Sequence, residues 1–155
     1  MPDFLVSETR TPCAHCDAYV LRLTEPDDVA AARARIAQGD ASGVGSIAIA
    51  RIAAGADGVN RNPLAPGNPA WSWHVTSFEG FADFAIELCD GWPGFVESDV
   101  PGWIANTNGT ICFWSYSVRA ELAQAPVGPL GSGGGAVALV LLCALLARLR
   151  RAARA

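Results

Sequence analysis

Hydrophobic and polar positions change period several times along residues 17–122, and each change marks a candidate element. Ala18-Tyr19-Val20-Leu21-Arg22-Leu23-Thr24 combines β-branched and aromatic residues with alternation at Val20 and Arg22, which predicts a strand. A helical pattern follows. Thr24 is a candidate N-cap, Pro26 sits in the first turn, Asp27 and Asp28 face the positive end of the dipole, and Val29, Ala32 and Ile36 share one face. The predicted helix runs from Asp27 to about Ala37 and stops at Gly39. Ile47 and Ile49 restore a period of two within 44–52, a second strand beside the first. Further strands are predicted at Trp71–Thr76, at Phe81–Leu88 with Phe84, Ile86 and Leu88 on its apolar side, and at Thr110–Arg119. A short helix is predicted over Pro93–Asp99, followed by a Gly/Asn loop. The sum is an α+β domain in which a mostly antiparallel sheet packs on one main helix.

Other segments lack this periodicity. Residues 1–16 read as an unstructured N-terminus. Residues 55–70 hold Asn60, Asn62, Pro63, Pro66, Asn68 and Pro69, and a loop this long in a compact domain tends to carry function. Residues 123–135, AQAPVGPLGSGGG, have the composition of a flexible tether. Residues 136–155 then read as a C-terminal membrane anchor: the uncharged run holds Ala136, Leu139, Leu142 and Leu146, and Arg148, Arg150 and Arg151 can snorkel to the headgroups. With Gly133–Gly135 the run spans about 22 Å as a helix, short of the ~30 Å hydrocarbon core, so the arginine flank is what favours a span.

Charge sharpens the topology. The chain has 155 residues and net charge −4, but all eleven basic residues are arginine and four fall in the last eight positions. Residues 1–147 therefore carry seven arginines against fifteen acids, a net of −8. A basic end predicts a cytoplasmic C-terminus and an extracytoplasmic acidic domain, with the membrane as a partner. An acidic body excludes nucleic acid as a partner. The first residues show no basic-then-apolar leader, so either the true start lies upstream of Met1 or the protein is tail-anchored with its body in the cytosol; tail anchoring would push the four-arginine stub across the bilayer, which favours the upstream start.

Candidate chemistry is sparse. Eleven of the thirteen aromatic residues lie between 71 and 116, either as core packing or as a face that binds a glycan, a small molecule or a protein. Ligand-binding candidates are Trp71, Trp73, His74 and the loop residue Asn68. His74 could pair with Ser72, oriented by Asp83 or Asp90, but no G-x-S-x-G, Walker or H-E-x-x-H pattern accompanies them. Of five cysteines, Cys143 lies in the apolar run; Cys89 and Cys112 end and begin predicted strands and would pair in an exported domain, or else stay as buried thiols. Cys13-Ala14-His15-Cys16 reads as a local disulfide or as loose thiols, since a zinc site needs a second ligand pair; neither metal nor cofactor is expected.

Asn68-Pro69-Ala70-Trp71-Ser72-Trp73-His74, Ala85-Ile86-Glu87-Leu88-Cys89-Asp90, and Cys112-Phe113-Trp114-Ser115 with Val118-Arg119 stand in this order over about 100 residues. They resemble the PWSxH, AIEVCDA and CPWSS strands of the small extracytoplasmic domain named for the N-terminal part of the BP-seventy-four protein, with Phe113 in place of a proline. The resemblance implies a shared fold and no particular reaction. The tail from Ala125, with its Gly/Pro hinge, apolar run and arginines, resembles bacterial protein-sorting tags and implies a sorting peptidase as a partner. The reading is thus a membrane-tethered extracytoplasmic binding or structural module, single-pass and open to release by processing. A small hydrolase or peptidase inhibitor using His74 or the 55–70 loop is the alternative.

Overall fold

Three apolar residues near the N-terminus, Phe4, Leu5 and Val6, build the central strand of a sheet. The computed structural model describes residues 1–39 and 47–123. In it β1 (Asp3–Glu8) lies between β2 (Ala18–Arg22) and β6 (Tyr116–Leu122), pairing antiparallel with both. The N-terminus is therefore structured, contrary to the expectation of a free tail. A second sheet has β3 (Ile47–Ala54) at its centre, flanked by β4 (Trp73–Ala82) and β5 (Thr110–Ile111), again antiparallel. The β3–β4 register shifts twice, between Ile49 and Ala50 and between Arg51 and Ile52.

Three short helices complete the described residues: α1 (Pro26–Gln38), α2 (Pro93–Ser98) and α3 (Val100–Thr107). In α1, Pro26 occupies the first turn, where its missing N–H costs nothing, and the Gly39 N–H closes the last turn on the Arg35 and Ile36 carbonyls. Ala32 is buried on the core, and Arg33 reaches Glu121 of β6 at 2.8 Å. A loop was expected where α3 lies. The Asp99 carboxylate accepts the Gly102 N–H, Pro101 sits in the first turn, and Asn108 ends the helix in the left-handed region at φ 52°. A 3-10 turn spans Glu87–Cys89.

Both sheets contribute to one core. Phe4, Tyr19, Leu21 and Tyr116 of the first sheet meet Ala50, Ile52, Trp73 and Ile111 of the second, with Val96 of α2 and Trp103 of α3. The architecture is α+β with two antiparallel sheets and three short helices, in place of one sheet on one main helix followed by a membrane helix. Among the described residues no helix is long and apolar enough to cross a membrane. The longest, α1, has 13 residues, reaches about 20 Å and carries Asp27, Asp28, Arg33 and Arg35. The span expected over 136–147, with its Arg148, Arg150 and Arg151 flank, lies outside the described residues, as do residues 124–135 of the expected tether. The membrane-tethered reading, the single-pass topology and the membrane as partner are accordingly withdrawn.

Candidate functional site

The 55–70 loop and the residues after it have a structural occupation. β2 is an edge strand, and an edge exposes unpaired backbone groups. The Asn60 side-chain oxygen accepts the Val20 N–H at 3.1 Å, and that of Asn62 accepts the Ala18 N–H at 3.2 Å. Trp71 Nε1 donates to the Ala18 carbonyl at 2.9 Å, and the Asn60 amide donates to the Trp73 carbonyl at 2.9 Å. The loop thus straps the edge of the first sheet to the start of β4. Asparagine suits the task because one side chain both accepts and donates.

Trp73 is 0 % exposed, packed against Tyr19 and Trp71, and its Nε1 has no hydrogen-bond partner among the described residues. A ligand at the surface does not reach it. Trp71 is half-buried, with its one polar atom already used. Asn68 is exposed at the tip of the loop, in the left-handed region at φ 48°. His74 Nδ1 lies 2.6 Å from the Gly55 carbonyl oxygen; a carbonyl only accepts, so Nδ1 carries the proton. No hydrogen bond joins His74 to Ser72, Asp83 or Asp90 among the described contacts, and the Ser72 N–H is taken by Glu97. Among the described residues His74 and Ser72 form no hydrogen-bonded base–nucleophile pair, so this geometry does not support the hydrolase alternative at His74.

A second group gathers where the N-terminal segment meets α2. Cys13 and Cys16 are joined by a disulfide in an exposed loop, and the His15 ring stacks on Trp92 at 3.9 Å between centroids. Burial raises the Glu8 carboxyl, but the N–H groups of His15, Cys16 and Ala14 outweigh it and hold the acid below its ordinary range. Buried Asp17 accepts from the Tyr116 hydroxyl and from the Gly94 N–H. Burial, then Asp17, then Glu8 push the Tyr116 phenol far up, so it stays protonated. Glu8, held charged, and the Tyr116 phenol, held neutral and bonded to Asp17, form a fixed joint. No metal-binding cluster of His, Cys, Asp or Glu occurs among the described residues.

The surface with available binding energy lies elsewhere. Residues 83–86 leave β4 and enter the 3-10 turn, and their alternation has the opposite sense to a core-facing strand. Ala85 and Cys89 point inward against Ile47 and Cys112, while Phe84, Ile86 and Leu88 are 75 %, 62 % and 60 % exposed. A disulfide between Cys89 and Cys112 fixes this phase. The Cys112 N–H also donates to the Cys89 carbonyl at 2.8 Å, tying the turn to β5. Phe84, Ile86 and Leu88 line a groove of about 320 Å³ with Ile49 of β3 and Thr107 of α3. A second depression of about 390 Å³ shares Leu88 and Thr107 and extends along Phe95, Trp103 and Asp99. Trp92, Phe95 and Trp103 contact one another in sequence and stiffen its wall.

Sequence reasoning placed Phe84, Ile86 and Leu88 on the apolar side of a strand, opposite Asp83, Ala85 and Glu87, and did not mark that side as solvent-facing. Parity held the correction: once Cys89 pairs inward with Cys112, positions 85 and 89 share its side and 84, 86 and 88 take the other. The segments that carry the family resemblance mark the framework instead: buried Trp73, the Cys89–Cys112 bond, and Phe113 in the core.

No curated protein and no solved structure matches this chain. The family model described as the BP-seventy-four N-terminal domain matches residues 4–125, from the first residues of β1 to just past the end of β6. The matched segment takes in both sheets, all three helices and the groove, and the chain belongs to the BP-seventy-four N-terminal domain family.

Proposed function

We propose that this domain is a binding module that receives apolar side chains of a partner in the groove at Leu88. The observation that carries this reading is the outward phase of Phe84, Ile86 and Leu88 above a rigid, disulfide-anchored floor. Each such side chain returns about 1.5–3 kcal/mol when moved fully from water into a partner's surface, and adjoining large apolar side chains on a folded domain mark contact sites. The joint between Glu8, Asp17 and Tyr116 and the strap at Asn60 hold the framework on which the groove is displayed.

The test is a titration of the full chain with the neutral apolar dye Nile red, followed by its fluorescence. The double substitution Phe84→Ser, Leu88→Ser is expected to weaken dye binding at least about tenfold, from the lost apolar area. Because both side chains are exposed, the urea midpoint should stay put. Unchanged dye affinity in the double variant overturns the reading.

A further inference from the structure

Among the described residues the charge around this groove is predominantly acidic. From residue 62 to 118 the chain has no Arg or Lys, while Asp83, Glu87, Asp90, Glu97 and Asp99 fall between 83 and 99. Asp83 and Glu87 are exposed beside Phe84 and between Ile86 and Leu88, and Asp90 and Asp99 line the adjoining depression. Their neighbours do not neutralise them: the ion pairs among the described residues join Arg22 to Asp3, Arg33 to Glu121 and Arg51 to Glu79. Arg51, on the strand that supplies Ile49, is taken up by Glu79 and by the Asn108 carbonyl. Asp90 and Asp99 each accept backbone N–H groups through Oδ1, which fixes their carboxylates in place at the rim.

An apolar floor with an acidic rim, whose nearby guanidinium Arg51 is already paired with Glu79, selects an occupant with the inverse pattern. The two depressions meet at Leu88 and Thr107, which makes the site longer than a single side chain needs. We propose that the occupant is a cationic amphipathic peptide segment, with apolar side chains in the groove and Lys or Arg side chains along the acidic rim. This rests on the groove being the binding site. Charge complementarity of this kind sets partner choice and association rate, and like-charged candidates are excluded by repulsion.

Two dye-labelled octapeptides, one alternating Leu with Lys and the other Leu with Glu, test it by fluorescence anisotropy on the full chain at 50 and 300 mM NaCl. The basic peptide should bind at least about tenfold tighter at low salt, and the gap should narrow at high salt as screening shortens the reach of the rim charges. The double substitution Asp83→Asn, Glu87→Gln should weaken the basic peptide about three- to tenfold and leave Nile red binding unchanged. Equal binding of the two peptides, with Nile red still sensitive to Leu88→Ser, overturns the cationic class and leaves the groove reading standing. Nile red binding indifferent to Leu88→Ser removes the groove itself, and the peptide proposal with it.

Discussion

Removing the Asn60 side chain tests whether the 55–70 loop is a strap. Asn60 is 2 % exposed and serves two buried backbone groups, the Val20 N–H and the Trp73 carbonyl. Asn60→Ala leaves both without partners, at about 1–3 kcal/mol each, for a total of about 2–6 kcal/mol. Against a typical domain stability of about 5–15 kcal/mol and a urea slope near 1.5 kcal/mol/M, a mid-range loss lowers the midpoint by roughly 3 M. Asn60→Asp separates the two bonds. A carboxylate still accepts from Val20 but sets an oxygen against the Trp73 carbonyl unless it holds a proton. Burial beside that carbonyl raises its folded-state pKa above the unfolded value of about 3.9. The folded state then retains a proton that the unfolded state releases, so the variant loses stability as pH rises above about 4. Its deficit relative to the wild type should be smaller at pH 4 than at pH 7. Urea unfolding by tryptophan fluorescence and amide exchange at Val20 measure both effects. A loss under about 1 kcal/mol with unchanged exchange at Val20 refutes the strap, and a pH-independent deficit in Asn60→Asp refutes the donor role.

Other predictions concern the disulfides and the N-terminal joint. The Cys89–Cys112 bond closes a loop with sequence separation 23 and should contribute about 3 kcal/mol; the Cys13–Cys16 bond, at separation 3, about 2 kcal/mol. Equilibrium unfolding of Cys-to-Ala pairs checks the order, and mild reductant should open the exposed Cys13–Cys16 bond first, read by timed alkylation and mass spectrometry. Glu8 has a folded-state pKa below its ordinary value, so its contribution is present above about pH 4.5 and fades as pH falls through the lowered value. Glu8→Gln should lower stability at pH 7 and flatten the acid limb of the stability curve; an unchanged limb would remove the role assigned to the His15 and Cys16 N–H groups.

Legibility in the sequence followed the geometry of burial. The main helix was readable because it has one solvent face, so the Val29/Ala32/Ile36 spacing left a period; the first predicted strand was readable from its β-branched and aromatic content, since Ala18–Leu21 are all buried and only Arg22 is exposed. β1 was not, because Phe4-Leu5-Val6 is too short an apolar run to stand out and the polar Ser7 and Glu8 that follow are themselves buried. The predicted strands Trp71–Thr76 and Phe81–Leu88 are one strand plus a turn: β4 runs on through Gly80 and ends at Ala82. α3 was hidden because Pro101 and Gly102 read as loop, although proline in a first turn is a helix start. Asn60 and Asn62 were noticed for their place in a long loop, but an asparagine that caps a strand edge and one that binds a ligand look alike until the partner strand is known. The groove residues carried a true period of two with its phase left open, which the sequence alone could settle only through the cysteine parity.

β4 has one further consequence. It runs for ten residues along the margin of its sheet, the kind of border on which a second chain could add a strand and a third could follow. The two register shifts against β3 and the Arg51–Glu79 pair break that border into short lengths that offer no continuous ladder. Apolar attraction is concentrated instead at Leu88, on the far side of β3 from the β4 border and next to the two-residue strand β5. If a partner fills the groove as proposed, it leaves the β4 border unextended, so association there is expected to stop at one to one instead of growing into a polymer.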